Sequence, residues 1–109
     1  MAVRFNVIVE LDGRAVGMVS CTEPVDGEAE LISMWVAPQA RGRGVGQSLI
    51  EDVRKWATAQ GARRLVLSVR TRNEPAIRLY TRSGFIDCGP AGASEGVEPE
   101  GKMVILLVS

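Results

Sequence analysis

The amino-acid sequence predicts an α+β fold, a mixed sheet with the element order β-β-β-α-β-α-β-β. Three observations predict it. Alternating apolar residues flank a turn signal near the start, a helical apolar stripe follows a glycine-rich stretch, and a short apolar run separates that helix from a second one. With 109 residues and 46% hydrophobic content, we expect a single domain over residues 1–109 with its own core.

The chain begins with a predicted β-hairpin. Apolar side chains alternate along its first half, and the Asp-Gly dipeptide at 12–13 is a two-residue turn signal. If the strands pair from that turn without a shift in register, Val9 lies opposite Val16 and Val7 lies opposite Met18. The apolar residues of both strands then share one face of the sheet.

The later elements are separated by glycine and proline. Apolar residues at helical spacing from Val45 to Ala57 predict the first helix, and Gly61 follows where a helix C-terminus favours glycine. Asn73 is a favoured N-cap, with Pro75 in the first turn of a second helix. The predicted bounds are a hairpin at 4–21, a loop at 24–27, a strand at 29–36, a helix from 45 that ends before 61, a strand at 65–69, a helix from 73 to about 83, a strand beginning at 85 and a strand at 102–108.

A thirteen-residue loop at 89–101 precedes the closing strand. It contains several glycines and the acidic residues Glu95, Glu98 and Glu100. A structureless loop of this length in a small domain usually belongs to a binding site or is disordered. We expect it either to attract a cationic amine or to be a solvated flap.

Composition excludes several classes of function. Thirteen basic and thirteen acidic residues cancel, so the chain has no overall field to hold nucleic acid or an anionic membrane. It contains no histidine. The longest apolar run, 103–108, has six residues, whereas a membrane helix needs ~20, and the alternating N-terminus has no signal-peptide core. We expect a cytoplasmic protein with no metal, no membrane and no nucleic-acid partner.

Cysteine and tryptophan are both expected inside the protein. Cys21 and Cys88 form no C-x-x-C pair and no disulfide framework, so we expect two buried free thiols, as is usual in a reducing compartment. Trp35 and Trp56 are each expected in the core rather than as stacking platforms for a ligand.

A glycine-rich turn at 41–46 joins the third strand to the first helix. Residues without side chains let a ligand approach the backbone, and the N–H groups at the helix start form an anion site suited to phosphate. Two phosphate motifs do not match: G-x-G-x-x-G would need glycine at Gln47 or Leu49, and no lysine follows as in a P-loop. By itself, a glycine-rich turn is equally typical of a tight connection between a strand and a helix that binds no ligand.

Two segments about thirty residues apart in the chain, residues 36–46 and residues 73–85, together resemble the GNAT (Gcn5-related N-acetyltransferase) superfamily. Its acyl-CoA signature, Q/R-x-x-G-x-G/A, corresponds to Arg41, Gly44 and Gly46. The resemblance covers about residues 31–88 and implies the GNAT acyl-CoA N-acyltransferase fold. The second signature, N-x-x-A-x-x-L-Y-x-x-x-G-F, is matched in full by Asn73, Ala76, Leu79, Tyr80, Gly84 and Phe85.

The resemblance implies acetyl-CoA as co-substrate, with its diphosphate on the backbone amides of the turn and its pantetheine arm added to the third strand like a further strand. Tyr80 corresponds to the general acid that protonates the departing thiolate. Arg41 or Arg43 is the candidate contact for the coenzyme's 3′-phosphate. The expected cofactor-binding residues are Met34, Trp35, Val36, Arg41, Gly42, Arg43, Gly44, Val45, Gly46, Gln47, Asn73 and Tyr80.

The general base is left open by the sequence. Some family members that modify protein N-termini have glutamate where this chain has Ser68, which cannot take that role. Other family members use a glutamate on the strand before the glycine turn, so the resemblance makes Glu30 the candidate, with Glu28 close by, and a water relay is the alternative. A lysine-like amine has an ordinary pKa of ~10.4, so some group must remove or relay its proton.

The acceptor is expected to be a small-molecule amine or a protein or peptide amine, acetylated by direct transfer in a ternary complex. A non-catalytic acyl-CoA sensor or subunit, or a structural oligomerisation domain, is the alternative. GNAT domains usually begin with a strand and one or two helices before the hairpin, so the sequence resembles a short or N-terminally truncated member. Three explanations fit this shortness: an open acceptor site, a partner chain that completes the site, or a sequence that is a fragment. The apolar run at 103–108 suggests a strand edge that could pair in a homodimer.

Overall fold

A computed structural model describes residues 3–90 and 99–107. The predicted element order is confirmed. The elements are β1 (Val3–Leu11), β2 (Arg14–Thr22), β3 (Glu28–Val36), a 3-10 turn (Pro38–Ala40), α1 (Val45–Ala59), β4 (Arg64–Arg70), α2 (Glu74–Arg82), β5 (Ile86–Pro90) and β6 (Glu100–Leu106). Strands β5 and β6 extend into the predicted loop at 89–101, and its Glu95 and Glu98 lie outside the described residues.

The six strands form one sheet in the order β1-β2-β3-β4-β6-β5, in which only β3 and β4 pair in parallel. Their pairing is short. It runs from Glu28 opposite Arg64 to Leu31 opposite Leu67 and then stops, although β3 continues to Val36 and β4 to Arg70. The two central strands therefore part halfway along the sheet and leave one edge of β3 without a neighbouring strand.

Both helices pack on the same face of the sheet. Leu49 and Val53 of α1 are fully buried in one cluster with Val19 and Leu67 of the strands, and Tyr80 of α2 belongs to that cluster as well. Glycine lets α1 approach this closely, since a Cβ at position 17 on β2 would lie 2.9 Å from the Val45 side chain. This packing holds the start of α1 beside the open edge of β3.

The predicted hairpin register is wrong beyond the first pairs. Val9 lies opposite Gly17 and Val7 opposite Val19, because a β-bulge shifts the register by one residue on the β2 side. The extra residue is Val16, which packs against Ala37 and Ala40 beside the glycine-rich turn. A turn signal fixes the pairing next to it and carries no information about a bulge further along.

One patch on the face of the sheet away from the helices is apolar and exposed. Ile8, Met18 and Trp35 stand side by side across β1, β2 and β3, and Trp35 is 42% exposed. The expectation that Trp35 lies in the core is therefore wrong, since strand alternation turns it away from the helices. Trp56 is partly buried and stacks on Phe5 at 5.0 Å between ring centroids.

Two expectations about the last strands are corrected by the sheet order. Strand β6 lies between β4 and β5, and β5 pairs with it from Gly101 to Val104, so this part of β6 has no free edge for a second subunit. Cys88 is exposed because β5 is the last strand of the sheet, whereas Cys21 is buried as expected. Both cysteines are free thiols.

The buried thiol of Cys21 predicts a loss of stability at high pH. Burial raises its pKa from 9.0 to about 11, so between these values the unfolded thiol ionises while the folded one stays protonated. The free energy of unfolding should fall over this range by up to about 3 kcal/mol, which urea titrations from pH 8 to 11 would measure.

A matched pair of cysteine variants isolates this effect. The variant Cys21→Ala should show a shallower decline, with Tyr80, whose pKa is also raised by burial, contributing the remainder. The control Cys88→Ala removes an exposed thiol and should keep the wild-type slope. A Cys21→Ala slope as steep as that of the wild type would contradict the assignment.

Candidate functional site

A cleft of about 560 Å³ opens where the free part of β3 meets the glycine-rich turn and the two helices. Strand β3, the first turn of α1 and one side of α2 form its walls. The residues that line it are Met34, Trp35, Val36, Ala40, Arg41, Gly42, Gly44, Val45, Gly46, Gln47, Asn73, Pro75, Ala76, Arg78, Leu79, Tyr80 and Arg82. Of the predicted cofactor-binding residues, the structure brings together all but Arg43.

The turn presents backbone donors to this cleft. Gly42 and Gly44 have φ of 80° and 81°, in the left-handed region that favours glycine, and a Cβ at either position would meet nothing within 4 Å. Gly44 is the N-cap of α1, and no side chain of the described residues caps this end. The first N–H groups of α1 therefore lack side-chain partners and, with the helix dipole, favour an anion.

Gly46, the second glycine of the acyl-CoA signature, lies where the first turn of α1 meets both walls of the cleft. A Cβ at Gly46 would lie 2.8 Å from Cδ2 of Leu79 on α2 and 3.2 Å from Cε of Met34 on β3. The first distance is shorter than real Cβ contacts and the second is tight, so the ends of the Leu79 and Met34 side chains would have to move to admit a side chain here. Glycine at this position keeps the first turn of α1 in contact with both walls.

Asn73 caps α2, as predicted. Its side-chain Oδ1 accepts a hydrogen bond from the Ala76 backbone N–H at 3.3 Å. Its amide nitrogen makes no hydrogen bond to another described residue. Because Oδ1 is used by the helix, Asn73 can offer the cleft a hydrogen-bond donor in addition to its role as a cap.

Tyr80 closes the cleft on the side of the sheet. Its residue is 8% exposed and its ring meets Phe85 edge-on, with 5.8 Å between centroids. No described residue makes a hydrogen bond to the Tyr80 hydroxyl. Since every buried side-chain oxygen and nitrogen among the described residues has a partner, this hydroxyl is not fully buried and reaches the solvent of the cleft. Burial raises the pKa of the phenol above 10.0, which keeps it protonated and able to donate at neutral pH.

The charged residues around the cleft are all arginines. Arg41 comes from the turn, and its Nε donates to the Val36 carbonyl at 3.3 Å. Arg78 and Arg82 come from α2, and sequence reasoning missed both, although their spacing of four residues places them on one side of a helix. Arg43, which was expected to bind cofactor, is exposed and does not line the cleft.

The candidate bases lie outside the cleft. Glu30 is half-buried between Ala29 and Leu31, whose side chains face the helices, so its carboxylate lies on the opposite face of β3. It sits next to the last pair before β3 and β4 part. Glu28 is engaged in an ion pair with Arg64 at 2.9 Å.

Residues 3–90 and 99–107 contain no candidate metal site and no candidate membrane-spanning helix. No group of three or more histidine, cysteine, aspartate or glutamate residues in these ranges is arranged to hold a metal ion. No helix within them is both long and apolar enough to cross a membrane.

Comparisons with known proteins agree with the geometry. A family model described as "Acetyltransferase (GNAT) family" matches residues 2–85. The peptidyl-lysine N-acetyltransferase YiaC of Escherichia coli is 38% identical over 85 residues, which cover 76% of this chain and 52% of that protein. The chain spans about half or less of the length of such curated relatives.

Solved structures share the fold. The crystal structure of nourseothricin acetyltransferase matches with a TM-score of 0.81 and 31% identity, over 89% of this chain and 61% of that one. A putative acetyltransferase of Salmonella typhimurium, yncA, solved with its cofactor acetyl-CoA, matches with a TM-score of 0.77 and 25% identity. That match covers 94% of this chain and 64% of the other.

Proposed function

The chain belongs to the acetyltransferase (GNAT) family, and on that basis we propose that it transfers an acetyl group from acetyl-CoA to a primary amine. One observation carries the proposal: the cleft joins the open edge of β3, the uncapped start of α1 and the Tyr80 hydroxyl, although these come from distant parts of the chain. The edge of β3 and the start of α1 offer two separate binding sites, and Tyr80 offers a proton donor. Together they suit a long anionic thioester.

The backbone supplies the binding groups in this proposal. The N–H groups at the start of α1 hold the diphosphate, with the glycines at 42 and 44 leaving room for it. The edge of β3 from Met34 to Val36 pairs with the pantetheine arm. A backbone N–H near Val36 donates to the thioester carbonyl and stabilises the negative charge that develops on its oxygen.

The transfer itself is direct. Acetyl-CoA supplies the activated acetyl group, and the amine nitrogen forms a bond to the acetyl carbon as the bond from carbon to sulfur breaks. Tyr80 gives its proton to the departing sulfur, and the amine loses one proton to Glu30 or to water. No cysteine or serine lines the cleft within the described residues, which favours transfer without a covalent acyl-enzyme.

Glu30 is proposed to act from the far side of the sheet. Its position beside the parting of β3 and β4 lets an amine reach the gap from the face opposite the helices. The acceptor is a small-molecule or peptide amine in this proposal. A peptidyl-lysine N-acetyltransferase and a nourseothricin acetyltransferase among the similar proteins support both classes of acceptor.

The variant Glu30→Gln tests this placement. We expect kcat to fall by up to about 10-fold with the KM for acetyl-CoA unchanged, because the carboxylate meets the amine and not the coenzyme. Steady-state kinetics with both substrates varied would measure this split. Glu28→Gln, on the same strand face and ion-paired with Arg64, is the matched control and should keep kcat. Equal loss in both variants would argue against a role for Glu30 as base.

The function is tested by turnover with a panel of amines. Acetyl-CoA should raise the Tm of the protein, and free CoA thiol should then be released in the presence of a lysine peptide, a polyamine or an amino-group antibiotic. Mass spectrometry of the acceptor identifies the acetylated amine. A raised Tm without thiol release from any amine would support an acyl-CoA sensor, and an unchanged Tm would contradict both functions.

A further inference from the structure

The cleft is strongly cationic although the chain as a whole is neutral. Thirteen acidic residues balance thirteen basic ones in the sequence, yet the charged residues that line the cleft are Arg41, Arg78 and Arg82. None of the described acidic residues lines it. This separation of charge points to an anionic ligand with more than one site of charge.

Helix α2 places its two arginines away from its tyrosine. At about 100° per residue, Arg78 and Arg82 differ by about 40° around the helix, whereas Tyr80 is about 160° from Arg82. Tyr80 is packed into the core that faces the sheet. The arginine side of α2 is therefore the outer rim of the cleft, at the end remote from the sheet.

Both rim arginines are accessible to a ligand. Arg82 is exposed, and no carboxylate among the described residues lies within 4.0 Å of it. Arg78 lies 3.9 Å from the Glu74 carboxylate, but both side chains are mostly exposed, so this pair is weak and easily exchanged. Arg41 differs from them because it is hydrogen-bonded to the Val36 carbonyl.

We propose that Arg78 and Arg82 form a subsite for the 3′-phosphate of coenzyme A, a phosphate monoester at the nucleotide end of the ligand. The assignment rests on the proposed function, in which the diphosphate lies at the start of α1 and the thioester beside Tyr80. The nucleotide end then lies at the outer rim. A monoester carries a charge of about −2 at neutral pH and three acceptor oxygens, which suit the donor fork of arginine.

Paired ligands test the subsite without relying on activity. Isothermal titration would compare CoA with 3′-dephospho-CoA, which lacks only the 3′-phosphate. The wild type should bind CoA about 10-fold more tightly or better, and Arg82→Ala and Arg78→Ala should each remove most of that preference. Affinity for dephospho-CoA should stay unchanged in both variants, which also shows that the cleft is folded.

Two further variants sharpen the result. Arg82→Lys keeps the charge without the fork and should retain part of the preference. Arg54→Ala removes a half-buried arginine of α1 that is paired with Glu51 outside the cleft, and should bind both ligands as the wild type does.

The outcomes separate the subsite from the function it rests on. Equal wild-type affinities for CoA and dephospho-CoA would overturn the subsite and leave the proposed function standing, and so would equal losses for both ligands in the arginine variants. Failure of the wild type to bind either ligand would overturn both.

Discussion

Replacing Gly44 by glutamate is expected to weaken acetyl-CoA binding by about 100-fold or more. The new carboxylate would stand at the N-cap of α1, where the diphosphate is proposed to bind. Two charges of like sign about 4 Å apart near a protein surface repel by roughly 4 kcal/mol, and about 2.7 kcal/mol already corresponds to a factor of 100. Isothermal titration with acetyl-CoA would measure the loss.

The chain offers a matched control for this variant. Gly13 has φ of +78°, close to the +81° of Gly44, and a Cβ at either glycine would meet nothing within 4 Å. Gly13→Glu therefore carries the same backbone strain and the same added charge in the hairpin turn, which does not line the cleft. It should keep wild-type affinity, and a Gly44→Glu variant that binds equally well would disprove the diphosphate site.

Removing the Tyr80 hydroxyl should slow turnover without weakening binding. We expect Tyr80→Phe to lower kcat by about 10- to 100-fold, since the departing thiolate loses its proton donor while the buried ring is retained. The dissociation constant of acetyl-CoA should stay within about two-fold of the wild-type value, because the hydroxyl acts late in the transfer. Thiol release under single-turnover conditions would measure the chemical step directly.

The neighbouring Thr81 provides the control. Its hydroxyl donates to the Ile77 carbonyl on the exposed side of α2, so Thr81→Val removes a hydroxyl from the same helix outside the cleft. This variant should turn over at the wild-type rate. An unchanged single-turnover rate in Tyr80→Phe would exclude Tyr80 as the acid.

Local patterns predicted the elements well because the signals are carried by a few adjacent residues. Asn73 and Pro75 fixed the start of α2, and Gly61 lies directly after the C-cap of α1, as expected. The β-bulge at Val16 was not predictable in this way. It depends on packing against Ala37 and Ala40, which lie more than twenty residues further along the chain.

The candidate site, like the fold, could be predicted from the sequence only in part. Glycines and Tyr80 were identified because motifs of fixed spacing carry them, and the structure brings them into one cleft. Arg78 and Arg82 were not, since exposed arginines on a helix look alike in sequence whether they face a cleft or bulk solvent. Arg43 lies outside the cleft because of the path that the backbone of the turn takes. That path could not be predicted, because glycines allow the turn many backbone conformations.

The parting of β3 and β4 after Leu31 has a consequence for the order of events in turnover. A gap in the middle of a sheet has an entrance on each face, so the thioester and the amine do not compete for one entrance. Under the proposed function, either substrate can arrive while the other is bound, and the first product need not leave before the second substrate enters. Such a protein follows sequential rather than ping-pong kinetics, with CoA competing against acetyl-CoA and not against the amine.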